Sequence, residues 1–189
     1  MLDLQKYRHA ILQLLRCGDG EHLGNTELLI LLYYLDFDHF EQHDAPVTGD
    51  SYLKLPSGPA PAHADSVLRD MEREGLIRSA TRGPACPGPC YTALVGADLS
   101  AFSPSEQAVL AAVCERWRHA SPQAIAEASR QDAPWIAAAD GDEMPYVYSY
   151  YRNQYHELET RDEEGGYLSP EDLVPILFVS TCASSADCA

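Results

Sequence analysis

The sequence is poor in positive charge. Its 189 residues contain 13 Lys and Arg against 29 Asp and Glu, which gives a formal net charge of −16. Neutralisation of phosphates supplies most of the affinity for nucleic acid, so this balance argues against general binding to DNA or RNA. Two interpretations remain open. The acidic surface either keeps the protein soluble or favours association with a basic protein.

Segments that would direct the chain to a membrane are also missing. The apolar stretch at residues 28–35 is too short to span a bilayer, and residues 1–6 lack the apolar core of a signal peptide. The sequence therefore predicts a cytoplasmic protein without membrane partners. In a reducing cytoplasm its six cysteines are expected to be thiols.

The common signatures of catalytic and cofactor-binding sites do not occur. There is no Gly-x-Ser-x-Gly, no phosphate-binding glycine loop and no cysteine with a placed histidine. Cys86 and Cys90 form a close pair with three residues between them, and no second pair lies nearby. A Pro/Gly turn is favoured there over a structural metal. The sequence predicts a protein that is not an enzyme and has no cofactor.

Residues 25–61 organise the predicted fold. A helix begins at Asn25, a good N-cap, and runs to about Gln42. Because residues 28–35 are all apolar or aromatic, this helix is predicted to be buried at the centre of the domain. A Gly/Pro-rich loop at 46–61 follows, and residues 52–55 within it alternate like a short strand.

The predicted fold class is mainly α, a compact helical domain around that central buried helix. Further helices are predicted at residues 3–16, 63–74, 103–118, 121–130, 133–136 and 145–152. Residues 76–80 and 91–95 read as a hairpin, which is predicted to form a three-stranded antiparallel sheet with residues 52–55.

Helix 63–74 followed by a hairpin also has a winged-helix-like outline. A helix that enters the major groove normally presents positive charge to the phosphates. This helix carries four acidic and two basic side chains. The outline is therefore interpreted as architecture, with a transcriptional autoregulator kept as an alternative.

Asp36, His39 and His43 are the best candidates for a chemical site. Their spacing places them on one helical face, where they could hold a divalent metal, and a metal-dependent hydrolase is the corresponding enzyme alternative. The favoured interpretation of Asp36 and His39 is structural. Asp36 would accept backbone N–H bonds from the 47–61 loop, and a histidine suits a helix C-terminus.

Two blocks of residues carry a resemblance to a known family. The sequence reads Leu-Tyr-Tyr-x-Asp-x-x-His and then Thr-Gly-Asp-x-Tyr-x-x-x-Pro-x-Gly-Pro-x-Pro. This resembles the Panacea family, the SocA-like antitoxin domains, over about residues 1–155. The matching residues are Leu32, Tyr33, Tyr34, Asp36, His39, Thr48, Gly49, Asp50, Tyr52, Pro56, Gly58, Pro59, Pro61, Phe102, Ser103, Glu106, Pro134 and Trp135. At Ser129-Arg130 the family often has Ser-His, so no role of that histidine is carried over.

The resemblance implies an antitoxin that binds a cognate protein toxin directly. The net charge of −16 suits a basic toxin. The predicted partner-binding residues are Thr48, Gly49, Asp50, Tyr52, Pro56, Gly58, Pro59 and Trp135. The alternative use of this loop is purely structural, as a sharp chain reversal. An adaptor that delivers a bound toxin to a cytoplasmic protease is the alternative function.

If the loop binds the toxin, substitutions in it should reduce neutralisation. Replacing Tyr52 and Gly58 should weaken neutralisation and leave the fold intact.

The antitoxin domain is predicted to span residues 1–155, and residues 156–189 are predicted to form an acidic linker and a C-terminal extension. Within that extension, 169–172 resembles a helix start and the apolar residues 176–179 need burial.

Overall fold

Several helices of the protein begin at residues whose side chains cap them. In a computed structural model, which describes residues 1–17, 22–81 and 88–152, the Asp3 carboxylate accepts hydrogen bonds from the first turn of α1, Leu4–Leu14. Ser103 and Glu106 form a capping box at α4, Pro104–Trp117. The Ser121 hydroxyl caps α5, Pro122–Arg130, and α6 follows at Ala133–Ala137.

Helix α2 spans Asn25–His43. Gly24 occupies the cap position, one residue before the predicted N-cap, and its N–H donates to the Glu27 carboxylate at 3.0 Å. The residues from Ile30 to Phe37 are all buried. They pack against α1, α4 and α5. None of the described helices is long and apolar enough to cross a membrane.

The larger sheet has three antiparallel strands in the order β1–β5–β4. They are β1 at Leu23–Gly24, β4 at Ile77–Thr81 and β5 at Pro89–Ala93. The predicted hairpin is present, but residues 52–55 do not join it, which corrects the predicted sheet. Its third strand is β1, and a strand of two residues is too short to show the alternation that identifies strands.

Residues 52–55 form β2, which pairs instead with β3, Gly58–Pro61, in a separate hairpin. Prolines normally argue against a strand because they cannot donate a ladder hydrogen bond. Here Pro59 and Pro61 face Lys54 and Tyr52. The backbone groups of Lys54 and Tyr52 form hydrogen bonds with residues 141–144 on the opposite edge of β2. The absence of N–H groups at the two prolines therefore removes no hydrogen bond between β2 and β3.

Helix α3, Ala64–Arg73, precedes β4 and buries Val67, Leu68 and Met71 on its predicted inner face. Its outer face is charged, with Asp65, Arg69 and the Glu72–Glu74 turn exposed. Within the described residues, 3₁₀ helices lie at Leu99–Ala101 and Tyr146–Tyr151. The second one falls within residues 145–152, for which the sequence predicted a helix.

The described residues up to Tyr150 form one compact unit, mainly helical with small antiparallel sheets. Several sequence predictions lie outside the described residues. They are the domain boundary at 155/156, the acidic linker, the helix start at 169–172 and the apolar residues 176–179.

Candidate functional site

The 47–61 loop is fastened to α2 by a carboxylate. Asp36 is completely buried, and its two oxygens accept hydrogen bonds from the Thr48 backbone N–H at 2.6 Å and from the Thr48 hydroxyl. The Tyr52 hydroxyl lies 2.8 Å from Asp36 Oδ2 and 2.9 Å from the Leu32 carbonyl oxygen. A charged acceptor with several donors makes stronger hydrogen bonds than a neutral one. The loop is thereby held at a fixed distance from the helix.

A second buried acid ties the same loop to α3. Asp50 accepts hydrogen bonds from the His63 backbone N–H at 3.1 Å and from His63 Nδ1 at 2.6 Å. The His63 side chain is 55% exposed, whereas Asp50 is buried. The Tyr146 hydroxyl donates to the Asp50 carbonyl oxygen. Asp36 and Asp50 therefore anchor the loop from two sides.

The N-terminus closes the loop from a third side. The Asp3 backbone N–H donates to the Thr48 carbonyl oxygen at 2.8 Å. Gly49 has φ +71°, and a Cβ at this position would lie 2.6 Å from the Met1 carbonyl oxygen. Both the conformation and the close approach require glycine.

Burial controls the electrostatics of this network. Loss of solvent raises the pKa of Asp36 to about 6, although the hydrogen bonds from Thr48 and Tyr52 oppose the shift. Burial, followed by the charge of Asp36, raises the pKa of Tyr52 well above its ordinary value. The pKa of Tyr146 rises for the same two reasons. These tyrosines therefore remain hydrogen-bond donors at any physiological pH.

The loop reaches the surface at the turn between β2 and β3, where Pro56 and Ser57 are exposed. Beside it, residues 141–144 run along the free edge of β2. The Lys54 N–H donates to the Asp142 carbonyl oxygen at 2.9 Å and the Gly141 N–H donates to the Lys54 carbonyl oxygen at 2.8 Å. We call residues 54–57 together with 140–143 the crest.

The crest has an acidic rim above the partly buried side chain of Lys54. Asp140, Asp142 and Glu143 are exposed. The Lys54 ammonium lies beneath them, 4.1 Å from the centre of the Trp135 ring, and donates to the Ala138 carbonyl oxygen at 2.9 Å. The aromatic ring and the carbonyl stabilise the ammonium, which also pairs with Asp140 Oδ1 at 3.4 Å. The Asp140 side chain is 89% exposed, so together with Asp142 and Glu143 it can still meet basic groups of a partner.

The predicted partner-binding residues separate into two groups. Thr48, Asp50, Tyr52, Gly58 and Pro59 are buried, and their contacts are within the domain. Gly49 and Trp135 are partly buried, and Pro56 is exposed on the crest. Only the second group presents atoms to the surface.

The sequence predicted that replacing Tyr52 and Gly58 weakens neutralisation and leaves the fold intact, but both residues are buried. Tyr52 is completely buried, and its hydroxyl lies within bonding distance of Asp36. Gly58 has φ +124°, and a Cβ there would lie 3.1 Å from Ile30 Cδ1. The structure therefore predicts that their replacement destabilises the fold as well.

The residues considered for a metal do not converge. Asp36 is used by the loop, while His39 Nδ1 lies 2.5 Å from the Ala45 carbonyl oxygen and Nε2 lies 3.3 Å from Ser105 Oγ. The His43 ring packs on that of His39 at 4.6 Å between centres. Within the residues that the structure describes, no group of three His, Cys, Asp or Glu side chains could hold a metal ion.

The cysteines also depart from the expectation of six thiols. Cys17, at the end of α1, forms a disulfide with Cys114 in α4, across 97 residues of sequence. A reducing cytoplasm favours thiols in general. Here the packing of α1 beside α4 brings the two cysteine side chains together. Cys90 is buried in β5, and Cys86 lies outside the described residues.

Sequence reasoning missed three parts of this site. The Asp50–His63 pair joins residues 13 positions apart, and the Tyr146–Asp50 contact joins residues 96 positions apart. The third part is the position of Lys54 under the crest, against Trp135. Two signals were available: a buried-looking Asp-Ser-Tyr in the loop, and the unusual density of tyrosines at 146–151. Neither signal identifies its partner, because partners are set by the packing of helices.

Comparison with known proteins identifies the family. Residues 28–136, more than half of the chain, match the family described as antitoxin SocA-like, Panacea domain, and the chain belongs to that family. The matched range contains Asp36, Asp50 and the β2–β3 hairpin. No curated protein and no solved structure gives a significant match.

Proposed function

We propose that this member of the Panacea family is an antitoxin that neutralises a cognate protein toxin by direct contact. The observation that carries the proposal is the family match over residues 28–136. In the proposal the protein acts in the cytoplasm and is not an enzyme. The net charge of −16 favours a basic toxin, because complementary charge speeds association and selects partners.

The proposed architecture keeps α2 as the central helix of a domain that extends to about residue 155. It keeps α3 with the β4–β5 hairpin as a winged-helix-like outline. The exposed acids of α3 disfavour a DNA phosphate backbone as its ligand. The outline therefore serves as scaffold in this proposal.

We place the toxin contact on the crest. Pro56 and Ser57 are exposed there, and the acidic rim beside them can meet Lys and Arg side chains. The buried loop residues, Asp36 and Asp50 above all, would act by holding the crest in shape. Preorganised loops bind with a smaller entropy cost than mobile ones.

A growth assay tests the function. The open reading frame adjacent to this gene is induced alone and then together with this protein. The proposal predicts that the neighbour is toxic and that co-expression restores growth. A harmless neighbour, or toxicity that co-expression does not relieve, would contradict it.

Recovery of the complex separates neutralisation from delivery to a protease. A blocked toxin should co-purify with this protein at an undiminished cellular level. An adaptor would instead lower the toxin level in cells with an active protease and leave it unchanged when that protease is deleted.

A pair of charge variants tests the placement. Asp140→Asn, Asp142→Asn and Glu143→Gln together remove the acidic rim. Asp65→Asn, Glu115→Gln and Glu127→Gln remove the same charge from exposed positions on α3, α4 and α5. The proposal predicts that the rim variant loses rescue and the matched variant keeps it. Equal rescue by both variants would contradict the placement of the toxin contact on the crest.

A further inference from the structure

The Cys17–Cys114 disulfide borders a surface cleft on the side of the domain formed by α1 and α4. The Cα atoms are 5.1 Å apart, within the usual range for disulfides. The cleft has a volume of about 290 Å³. Its polar lining comes from Cys17, His22, Glu27, Trp117, Arg118 and His119. A small molecule in this cleft would therefore lie beside the sulfurs.

The two sulfurs differ in access. Cys17 is half-buried, whereas Cys114 is 8% exposed. A reagent in solution can therefore approach Cys17 more readily than Cys114. Cys17 Sγ also lies 3.1 Å from the Gln13 carbonyl oxygen, which can accept the thiol proton when the bond is reduced.

The cleft also suits thiolate chemistry. Nearby cationic groups favour the thiolate, which is the form that attacks a disulfide. Arg118 lines the cleft, and its guanidinium also pairs with the Glu115 carboxylate at 3.0 Å. Glu27 lines it too; burial raises the pKa of its carboxyl, and the hydrogen bond from the Gly24 N–H opposes that shift. A low-molecular-weight disulfide with carboxylate groups would find complementary charge at Arg118.

We propose that Cys17 is a redox-reactive thiol that exchanges with low-molecular-weight disulfides, and that Cys114 is its resolving cysteine. The Cys17 thiolate attacks one sulfur of the small disulfide, forms a mixed disulfide and releases one small thiolate. The Cys114 thiolate then attacks Cys17 Sγ and releases the second small thiol. Two protein thiols lose two electrons and two protons, and the small disulfide takes up both.

The oxidised form ties α1 to α4 and closes a loop of 97 residues. A cross-link over a long loop restricts the unfolded chain more than the folded one. Oxidation is therefore expected to raise the Tm by about 5–15 °C. This inference does not rest on the antitoxin proposal, since its measurements use the purified chain alone.

The experiment uses oxidised glutathione with the full chain, reduced and then freed of reductant. Peptide mapping by mass spectrometry should show the Cys17–Cys114 cross-link in the wild type. Cys114→Ser should accumulate a stable glutathione adduct at Cys17, because the resolving thiol is gone. Cys17→Ser should give no adduct at Cys114 on the same timescale, and Cys90→Ser should behave as the wild type does.

An adduct at Cys114 in the Cys17→Ser variant would reverse the assigned roles. Absence of both adduct and cross-link in a chain with native circular dichroism would overturn the proposal. A second measurement does not depend on any variant. In the reduced wild type, iodoacetamide should alkylate Cys17 at least tenfold faster than buried Cys90. Equal rates, or a faster reaction at Cys90, would also overturn it.

Discussion

The two halves of α2 are held in place by different forces. In the first half Leu28, Leu32 and Leu35 are completely buried against apolar side chains of neighbouring helices. In the second half Asp36 and His39 are buried, and polar groups of the following loop and of α4 satisfy them. Apolar contacts are non-directional, whereas hydrogen bonds require particular partners. The first half should therefore tolerate isosteric exchange, and the second half should not.

The largest expected effect comes from removing the carboxylate at the polar half. Asp36→Ala leaves the Thr48 N–H and the Thr48 hydroxyl without their acceptor, and the Tyr52 hydroxyl keeps only the Leu32 carbonyl oxygen. We expect the free energy of unfolding to fall by about 3–5 kcal/mol, the usual result of breaking a buried charged network. Urea unfolding at pH 7 measures it.

The near-isosteric exchanges are Asp36→Asn in the polar half and Leu28→Met in the apolar half. Leu28→Met conserves volume and should cost less than about 1.5 kcal/mol, and less than Asp36→Asn. If both substitutions cost the same, the contrast between the halves is wrong. If Leu28→Met costs more than Asp36→Asn, the apolar half is the less tolerant one.

The next effect concerns the path of the loop beside the N-terminus. Gly49→Ala places a Cβ 2.6 Å from the Met1 carbonyl oxygen at φ +71°, so the backbone must shift. We expect a loss of about 2–4 kcal/mol. Thermal unfolding followed by circular dichroism measures it.

Gly141 supplies the control for backbone conformation alone. It has φ +84°, and a Cβ there would meet nothing within 4 Å. Gly141→Ala should therefore cost only about 1 kcal/mol. Equal costs at the two positions would show that the N-terminus does not press on the loop.

A smaller effect appears in the pH dependence of stability. The pKa of Asp36 is raised to about 6 in the folded protein, above its unfolded value. The folded state therefore binds this proton more tightly than the unfolded chain does. The resulting stabilisation is complete below the unfolded pKa and is lost as pH rises through 6.

Comparison with Asp36→Asn isolates this proton from all other titrating groups. From pH 5 to pH 7 the wild type should lose about 1 kcal/mol of stability relative to the variant. Urea unfolding of both proteins at the two pH values measures it. A constant difference, or a difference that grows in favour of the wild type, would show that the pKa of Asp36 is not raised.

The contrast between the halves also explains what could be predicted from sequence. The apolar run at 28–35 and the Ser-Pro caps at 103 and 121 are local signals, and the helices follow them closely. The β2–β3 pairing was missed because prolines argue against a strand unless a second edge takes the hydrogen bonds. Asp36 and Tyr146 are separated by 110 residues in the sequence, and only the packed fold brings them together.

The smallest effect on stability, and the largest on function, is expected at the crest. Neither the rim variant nor its matched variant on α3, α4 and α5 should change stability by more than about 0.5 kcal/mol, since all six acids are exposed. Their functional consequences should differ. Loss of function without loss of stability in the rim variant would distinguish a binding surface from the buried network that supports the loop.

The most direct test of the account is the affinity of the proposed toxin, the purified product of the neighbouring gene, for three proteins at one salt concentration. These are the wild type, the rim variant Asp140→Asn/Asp142→Asn/Glu143→Gln, and the matched variant Asp65→Asn/Glu115→Gln/Glu127→Gln. Calorimetry should show that the rim variant raises the Kd by at least about tenfold, which is 1.4 kcal/mol, and that the matched variant changes it by less than about twofold. An equal change in both variants, or an unchanged Kd for the rim variant, would contradict a toxin site on the crest.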